Sequence, residues 1–172
     1  MAVKKIVKVG DKLLRKKSSP ITHFGTKELK HLKENLHDTL IAFRKKHKLG
    51  RGIAAVQIGV LKKAIYIKMK GFEDFLINPK IVYKSKKESW YWDSCFSVDV
   101  TFFIRLLRPF EIEVEYYDFN GNKKTIKAKG HLAELLQHEI DHLHGKLFID
   151  YWNKNKENFV MSDVYESRKR TD

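Results

Sequence analysis

The sequence predicts an α+β fold in which short antiparallel strands surround a central helix bearing a His-Glu-x-x-His motif, with an N-terminal amphipathic helix. Three observations support this prediction. Leucines recur at helical spacing before residue 50, apolar and acidic residues alternate over Glu111–Tyr117, and a second apolar pattern with helical spacing follows residue 130. We expect a single domain over residues 1–172, with a short polar tail from about residue 153.

The first helix is predicted to run from Thr26 to about Lys48. Thr26 carries a hydroxyl that can accept a hydrogen bond from a backbone N–H of the first turn, as helix N-caps do. An apolar stripe follows, formed by Leu29, Leu32, Leu36, Leu40 and Phe43. This spacing predicts that one helix face packs on the core, and the Leu-Gly pair at residues 49–50 marks the end of the helix.

Strands are predicted in the middle of the chain, where β-branched and aromatic residues cluster between turn residues. The expected segments are Ala64–Met69, residues 75–77, residues 80–84 after Pro79, and an extended stretch over residues 91–98. The alternation over Glu111–Tyr117 is typical of a strand with one buried face. A turn at residues 118–122 then predicts a hairpin, with residues 123–128 as the returning strand.

The second helix is predicted over residues 131–144, with Gly145 as its stop signal. It contains His138, Glu139 and His142. A spacing of four places both imidazoles on one helix face, where they can bind one divalent ion, and the adjacent glutamate can act on a water molecule. Two histidines at this spacing also occur by chance, but the adjacent glutamate and the apolar rear face favour a metal-assisted hydrolase.

A catalytic site of this kind needs a third protein ligand, and the sequence offers three positions for comparison. Phe148 stands where metzincin peptidases place a third histidine, and its side chain cannot bind a metal. Thermolysin-like peptidases take their third ligand from a downstream glutamate. The nearest candidate here is Glu157, which follows His142 by fifteen residues, a shorter separation than in those peptidases. Cys95 lies upstream, and a thiolate is a strong ligand for a borderline-soft ion. A lone cysteine can also be a small buried residue or a nucleophile.

A run of small residues over positions 50–59 separates the first helix from the strands. Such a run lets the backbone approach another element or a ligand closely. It is not a phosphate-binding loop, because it lacks the Gly-Lys-Ser/Thr ending.

Three ordered motifs resemble those of the peptide deformylase family. The first, Gly-x-Gly-Leu-Ala-Ala-x-Gln in the family, stands here at residues 50–57. The second, Glu-Gly-Cys-Leu-Ser, is degraded to Asp-Ser-Cys-Phe-Ser at residues 93–97, and the third, Gln-His-Glu-x-Asp-His-Leu-x-Gly, is complete at residues 137–145. The flanks at residues 10–20 and 146–150 are similar too, so the resemblance covers about residues 5 to 152.

The resemblance implies a metal-dependent hydrolase that removes the N-formyl group from the formyl-methionine end of nascent peptides. It implies that Cys95, His138 and His142 hold one divalent metal. Glu139 would take a proton from water and pass it to the leaving amine. The metal implied is iron(II), with nickel, cobalt or zinc tolerated; thiolate and histidine ligation alone does not choose among them.

The resemblance also implies roles around the substrate. The side-chain amide of Gln57 and the backbone N–H of Phe96 would stabilise the oxyanion that forms on the formyl group. The residues expected to contact the substrate are Gly50, Gly52, Ile53 and Glu134.

Departures from the family pattern cluster around Cys95. Asp93 replaces the family's glutamate, Ser94 replaces its glycine, and Phe96 replaces its leucine. Phe102 stands where the family has an arginine, and Arg105 is the nearest basic substitute. These changes suggest intact chemistry with a different substrate pocket.

Glu134 is a further departure, because it lies four residues before His138 and shares its helix face. A carboxylate there disfavours a methionine side chain unless it points to water or pairs with a basic residue. The competing hypotheses are therefore a deformylase-like hydrolase with altered acyl or side-chain specificity, and a weakly active protein that binds ribosomes or RNA.

The composition indicates a globular protein with a strongly basic surface. Its 28 lysines and 7 arginines contribute to a formal net charge of +14. This charge fits either a generally lysine-rich surface or a patch that contacts the ribosome transiently. No stretch approaches the roughly 20 apolar residues that span a bilayer, and the N-terminus lacks a signal core. We therefore expect a cytoplasmic monomer with no membrane partner.

Overall fold

The computed structural model describes residues 2–169. Its helices and strands follow one another as α1 (Lys27–His47), β1 (Gly52–Ala54), β2 (Ala64–Met69), β3 (Phe72–Lys84), β4 (Glu88–Asp93), β5 (Phe102–Pro109), β6 (Glu111–Tyr117), β7 (Lys123–Lys129), α2 (Gly130–Leu143), β8 (Phe159–Met161) and α3 (Ser162–Lys169). The strands form a five-stranded sheet, β1-β2-β3-β6-β7, and a three-stranded sheet, β4-β5-β8. Neighbouring strands pair antiparallel in both sheets, which confirms the α+β class.

Helix α1 starts where its sequence provides a cap. The hydroxyl of Thr26 accepts a hydrogen bond from the backbone N–H of Leu29, at 3.1 Å. At the other end, Lys48 adopts a left-handed conformation with φ of 59°. Within the helix, the residues that are buried are Leu29, Leu36, Thr39, Leu40 and Phe43. This face covers one side of the five-stranded sheet.

The five-stranded sheet is buried on both sides. Along β2, Ile65 and Ile67 belong to the core shared with α2, whereas Ala64 and Tyr66 belong to the core shared with α1. Side chains of a strand alternate between the two faces of a sheet, so one strand contributes to both cores. Helix α2 is therefore held firmly against the sheet that carries β1.

Helix α2 begins at Gly130, one residue before its predicted start, and ends at Leu143. Ten of its fourteen residues are buried, including both histidines of the motif. No helix within residues 2–169 is long and apolar enough to cross a membrane.

The prediction of two short strands at residues 75–77 and 80–84 is wrong, because one strand, β3, covers both segments. The chain forms one strand through Pro79, with a register shift against β6 between Ile77 and Lys80. Proline cannot donate to the ladder, so a bulge at this point lets the strand continue. Asn78 has φ of 50° there. Its side-chain oxygen accepts a hydrogen bond from the backbone N–H of Ile21, and its side-chain nitrogen donates one to the backbone carbonyl of Ile21.

The extended stretch predicted at residues 91–98 is wrong in its second half. Strand β4 ends at Asp93, and residues 96–98 form a 3₁₀ turn. Asp99 and Val100 follow with φ of 53° and 54°, a conformation that β-branched residues rarely adopt. The bend after β4 turns Cys95 towards α2.

Strand β5, strand β8 and helix α3 were not predicted from the sequence. Strand β8 pairs with β5 through Phe103 and Val160, and it lies within the expected polar tail. The ring of Tyr165 on α3 stacks on Phe103 with 4.0 Å between ring centroids. The C-terminal segment thus completes the smaller sheet and covers one of its faces.

Candidate metal centre and active site

Three metal-ligating side chains meet between α2 and the bend after β4. His138 and His142 lie one turn apart on the buried side of α2, with their Nε2 atoms 3.2 Å apart. The Sγ atom of Cys95 lies 3.3 Å from Nε2 of His142. The ligand atoms of all three lie within 4.8 Å of one another. The structure thus brings together the residues that the resemblance implies as ligands.

These separations suit a divalent metal. At metal–ligand distances of about 2.0–2.3 Å, a tetrahedral site holds neighbouring nitrogen and sulfur ligands roughly 3.3–3.6 Å apart. The sulfur of Cys95 accepts hydrogen bonds from the backbone N–H of Ser97 at 3.4 Å and from Nε2 of Gln57 at 3.3 Å. Two N–H donors are thus directed at the sulfur atom.

A buried charge network orients His138. Its Nδ1 atom lies 2.9 Å from Oδ2 of Asp93, which leaves Nε2 for the metal. Arg108 contacts the carboxylates of Asp93 at 3.4 Å and of Asp141 at 2.9 Å. Burial disfavours the charge on Asp93, but His138 and Arg108 outweigh it and lower its pKa. Burial likewise opposes a charge on His138, but the carboxylate of Asp93 raises its pKa.

The motif comparison did not identify Arg108. Arg105, the substitute considered there, lies on the exposed side of β5, 5.4 Å from the centre of the Trp90 ring. Strand alternation would have pointed to Arg108, because it lies four residues after Ile104 on the buried face of β5. That signal could not be used, since β5 itself was not predicted.

Glu139 is buried beside the ligands. Burial raises its pKa to about 7. Its Oε2 atom has no hydrogen-bond partner among the described residues. A Cβ atom on Gly52 of β1 would lie 2.7 Å from Oε1 of Glu139, so a side chain at this position would displace the carboxylate. The glycine-rich segment therefore allows β1 to approach the site closely.

Gln57 is held with its amide N–H₂ group towards the metal centre. Its Oε1 atom accepts a hydrogen bond from the backbone N–H of Ala54 at 2.9 Å. That bond fixes the orientation of the amide, and Nε2 then donates to Cys95 and to the hydroxyl of Ser97, each at 3.3 Å. The predicted oxyanion donor thus lies next to the predicted thiolate.

The ring of Phe96 is accommodated by two neighbours. It stacks on Phe43 of α1 with 3.8 Å between ring centroids. A Cβ atom on Gly50 would lie only 2.4 Å from the Phe96 ring, and Gly50 itself has φ of +123°. The ring therefore packs between α1 and Gly50, although it also borders the cavity beside the metal centre.

A cavity of about 100 Å³ lies beside Cys95 and Glu139. Of the residues expected to contact substrate, Gly50, Gly52 and Glu134 line it. The remaining one, Ile53, is fully buried in the core against α1 and is not part of this lining. Arg51, between the two glycines, lines the cavity instead.

Glu134 is buried and paired. Its Oε2 atom lies 2.7 Å from Nη2 of Arg51, and its side chain is 2% exposed. Burial and the nearby carboxylate of Asp93 raise the pKa of Glu134, which Arg51 partly counteracts. Glu134 thus does not point to water; it forms an ion pair in the cavity wall.

Phe148 and Glu157, the other positions considered for a third metal ligand, lie outside the metal centre. Phe148 is buried, and its ring centroid is 6.0 Å from that of His138, so it packs against one of the predicted metal-binding residues. Glu157 is exposed and lies outside the group of ligating residues found among residues 2–169. Ser94 donates a hydrogen bond to the backbone carbonyl of Phe102 at 2.6 Å, which ties the bend to β5.

Comparison with known proteins gives consistent similarities. A sequence profile of the polypeptide deformylase family matches residues 3–158. The chain is 41% identical to a peptide deformylase of Pelagibacter ubique in an alignment of length 169 that covers 95% of this chain and 94% of that protein. It superposes on the crystal structure of peptide deformylase from Thermotoga maritima with a TM-score of 0.81 and 29% identity, covering 89% of this chain and 99% of that one. A Met-Ala-Ser-bound class I type b peptide deformylase from Acinetobacter baumannii superposes with a TM-score of 0.79 and 25% identity, covering 87% and 98%.

Proposed function

The chain belongs to the peptide deformylase family, whose members remove the N-formyl group from nascent peptides, and we propose that it does so at the site around Cys95, His138 and His142. One observation carries the assignment to this site. Three metal-ligating atoms converge beside the buried carboxylate of Glu139, whose Oε2 atom has no partner among the described residues. A ligand set next to an unpaired carboxylate is what metal-assisted hydrolysis requires.

Cys95, His138 and His142 would hold one divalent ion. When bound, such an ion polarises the formyl carbonyl group and lowers the pKa of water at the site. We propose iron(II) as the native ion, as the family resemblance implies. Nickel(II), cobalt(II) and zinc(II) are also compatible with one thiolate and two imidazoles.

Glu139 moves the proton in this mechanism. It takes a proton from the water that attacks the formyl carbon, and it later delivers that proton to the peptide nitrogen as the C–N bond breaks. The products are formate and a free amino terminus. Because burial raises the pKa of this carboxyl to about 7, it can both accept and release a proton near neutral pH.

Gln57 and Phe96 stabilise the oxyanion. The Nε2 atom of Gln57 and the backbone N–H of Phe96 donate to the formyl oxygen as its negative charge develops. The anchor from Ala54 to Oε1 of Gln57 supports this role, because it keeps Nε2 on the side of the metal centre. One of the two N–H bonds that Nε2 directs at Cys95 and Ser97 would turn to the formyl oxygen. Preorganised donors of this kind are a main source of catalysis in acyl transfer.

Metal dependence tests the proposal with formyl-Met-Ala-Ser as substrate. The purified protein should bind about one iron(II) or nickel(II) ion per chain and release formate, and chelation should stop release until metal is restored. Cys95→Ala should lose stoichiometric metal and activity together. Stoichiometric metal without formate release would indicate a binding protein, and hydrolysis that survives Cys95→Ala would point to a different site.

We further propose a cytoplasmic monomer that contacts the ribosome transiently through exposed lysines. Four lysines on β7 pair with acidic residues of β6 and with Asp118, which reduces their contribution to the net positive charge of the surface. The lysines that support a contact lie elsewhere on the surface, at Lys4, Lys5, Lys16, Lys17, Lys84 and Lys86. Co-sedimentation with ribosomes should weaken steeply between about 50 and about 200 mM salt. Ribosome binding that does not change with salt concentration would contradict a contact through exposed lysines.

A further inference from the structure

The N-terminal segment joins the two parts of the chain that supply the proposed oxyanion donors. The backbone N–H of Val7 donates to the carbonyl of Gln57 at 2.8 Å, and the backbone N–H of Val9 donates to the carbonyl of Ser97 at 2.9 Å. Gln57 belongs to the turn after β1, and Ser97 belongs to the turn after β4. The N-terminal segment therefore lies beside both turns and links them.

Lys8, between these two valines, contacts the second turn with its side chain. Its Nζ atom donates to the backbone carbonyl of Phe96 at 3.2 Å and forms an ion pair with Asp99. The backbone N–H of Asp99 donates to the same carbonyl at 3.0 Å. Lys8 thus connects the first residue of the turn to the residue that follows it. It does not line the cavity beside the metal centre, so it contacts the turn from outside that cavity.

The turn needs support because of the backbone conformation that follows it. Asp99 and Val100 have φ of 53° and 54°. Aspartate tolerates this left-handed region, but a β-branched residue there is strained, and such strain persists only where the surrounding structure holds it. Val100 lines the cavity together with Phe96. A turn that relaxed away from Lys8 would therefore move two parts of the cavity wall.

An exposed ion pair by itself contributes little to folding stability. The side chains of Lys8 and Asp99 are 42% and 49% exposed, so water and salt screen their attraction. The position of an oxyanion donor matters more, because it acts only within about 2.7–3.1 Å of the developing charge. The N–H and the carbonyl of Phe96 flank one Cα atom, so a bond that fixes the carbonyl also limits rotation of the N–H.

Building on the proposed function, we propose that Lys8 is a positioning residue for the oxyanion site. By holding the Phe96 carbonyl and Asp99 together, it fixes the turn that directs the backbone N–H of Phe96 at the formyl oxygen. In this role Lys8 touches neither the substrate nor the metal ligands. Its loss should weaken an interaction made mainly in the transition state, which lowers kcat and leaves substrate binding nearly unchanged.

Lys8→Met tests this role, because it keeps an unbranched side chain of similar length and removes the ammonium group. With formyl-Met-Ala-Ser, kcat should fall about tenfold, as expected for a donor displaced by a fraction of an ångström, and KM should stay within about twofold. Lys8→Arg retains donors and charge and should recover most of the loss. An unchanged kcat in Lys8→Met, or a loss that appears only in KM, would overturn the inference.

Three further measurements separate positioning from a structural role. Metal content, urea unfolding and calorimetric affinity for the product Met-Ala-Ser should be nearly the same in Lys8→Met and the wild type, because the ion pair is exposed and the product has no formyl oxygen. A Lys8→Met variant that loses metal, product affinity or the fold would show a structural role and overturn the inference. The matched control, Lys123→Met, removes an exposed lysine paired with Glu115 at 2.9 Å and should keep the wild-type kcat.

Asp99→Asn gives a second test of the same contact. Asparagine also tolerates the left-handed region, so the turn can form without the carboxylate. This variant should lower kcat less than Lys8→Met, because Lys8 still reaches the Phe96 carbonyl. The double variant should be no slower than Lys8→Met alone, since both changes act on one contact. Losses that multiply would contradict a shared action on the turn.

The outcomes also separate this inference from the proposed function. If the metal-loaded wild type releases no formate from formyl-Met-Ala-Ser, the proposed function fails, and the positioning by Lys8 fails with it. If the wild type is active and Lys8→Met matches its kcat, the proposed function stands and the positioning by Lys8 fails.

Discussion

Gly52 determines where the carboxylate of Glu139, the proposed proton-transfer group, can lie. A Cβ atom added at this position would lie 2.7 Å from Oε1 of Glu139, far inside van der Waals contact, and Ile67 closes the other side at 2.9 Å. We predict that Gly52→Ala lowers kcat about 10- to 100-fold, because it displaces the proton-transfer group by a fraction of an ångström. Formate release and metal content measure this directly. A variant with unchanged kcat would show that Glu139 tolerates the shift.

Asp93 is predicted to act through His138. Asp93→Asn keeps the size of the side chain but removes the charge that orients the imidazole at 2.9 Å, so metal affinity should fall about 10- to 100-fold. Metal titration with a competing chelator measures the metal affinity of each variant. Asp93→Glu keeps the charge and serves as the control, and it should lose less affinity. Equal losses in both variants would mean that charge is not the important property.

At the level of residues, spacing in the sequence could bring side chains together only where they are close in the chain; Cys95, 47 positions from His142, was predicted from the family resemblance. His138, Glu139 and His142 lie on one helix turn, so their spacing was informative. The Arg51–Glu134 pair joins residues 83 positions apart, and no local pattern reports such a contact. Arg108 was missed because strand β5 was not predicted, and its partners lie on other elements, β4 and α2.

At the scale of elements, the C-terminal segment supports the sheet that presents Cys95. Strand β8 pairs with the start of β5, and Tyr165 on α3 stacks on Phe103 at 4.0 Å and lies 5.8 Å from Trp92. Phe103 and Trp92 also border the cavity beside the metal centre. This segment therefore stabilises one wall of the active site without contributing a ligand.

We predict that Tyr165→Ala lowers the free energy of unfolding by about 1–2 kcal/mol, because it removes two aromatic contacts. Tyr165→Phe retains the ring and should therefore lose less stability than Tyr165→Ala. Urea unfolding of both variants provides the comparison. A fully stable Tyr165→Ala variant would show that α3 is not held through this ring.

The elements that the sequence predicted well have a strong local period. Strand β2 matches its predicted bounds, and the hairpin of β6 and β7 has one buried face and a clear turn. Strand β5 gave no such signal, because its two faces are both partly apolar: Phe103 packs under α3 while Ile104 and Leu106 face the core with Phe148. Strand β8 is only three residues long, too short for a period to be seen.

At the scale of the whole molecule, two buried tyrosines connect the strands of the large sheet and couple stability to alkaline pH. The phenol of Tyr66 donates to Glu73 at 2.5 Å, and that of Tyr116 donates to Asp74 at 2.6 Å. Burial first, and these carboxylates second, raise the pKa of both phenols. The folded state therefore holds these protons more tightly than the unfolded state does.

The resulting stability should be fully present below pH of about 10, the ordinary pKa of tyrosine, and should be lost as pH rises from there towards the folded-state pKa. The double variant Tyr66→Phe with Tyr116→Phe should be less sensitive to pH above about 10, because neither phenol remains to ionise. Urea unfolding at a series of pH values measures both slopes. Identical slopes in the two proteins would contradict this coupling.

We infer that Glu139 transfers protons at a metal centre formed by Cys95, His138 and His142. The most direct measurement is formate release from formyl peptides by the metal-loaded wild type and by Glu139→Gln, with metal content determined on the same samples. We predict turnover by the wild type and a fall of about 10²- to 10⁴-fold in the variant at unchanged metal content. Equal rates in the two proteins would contradict it.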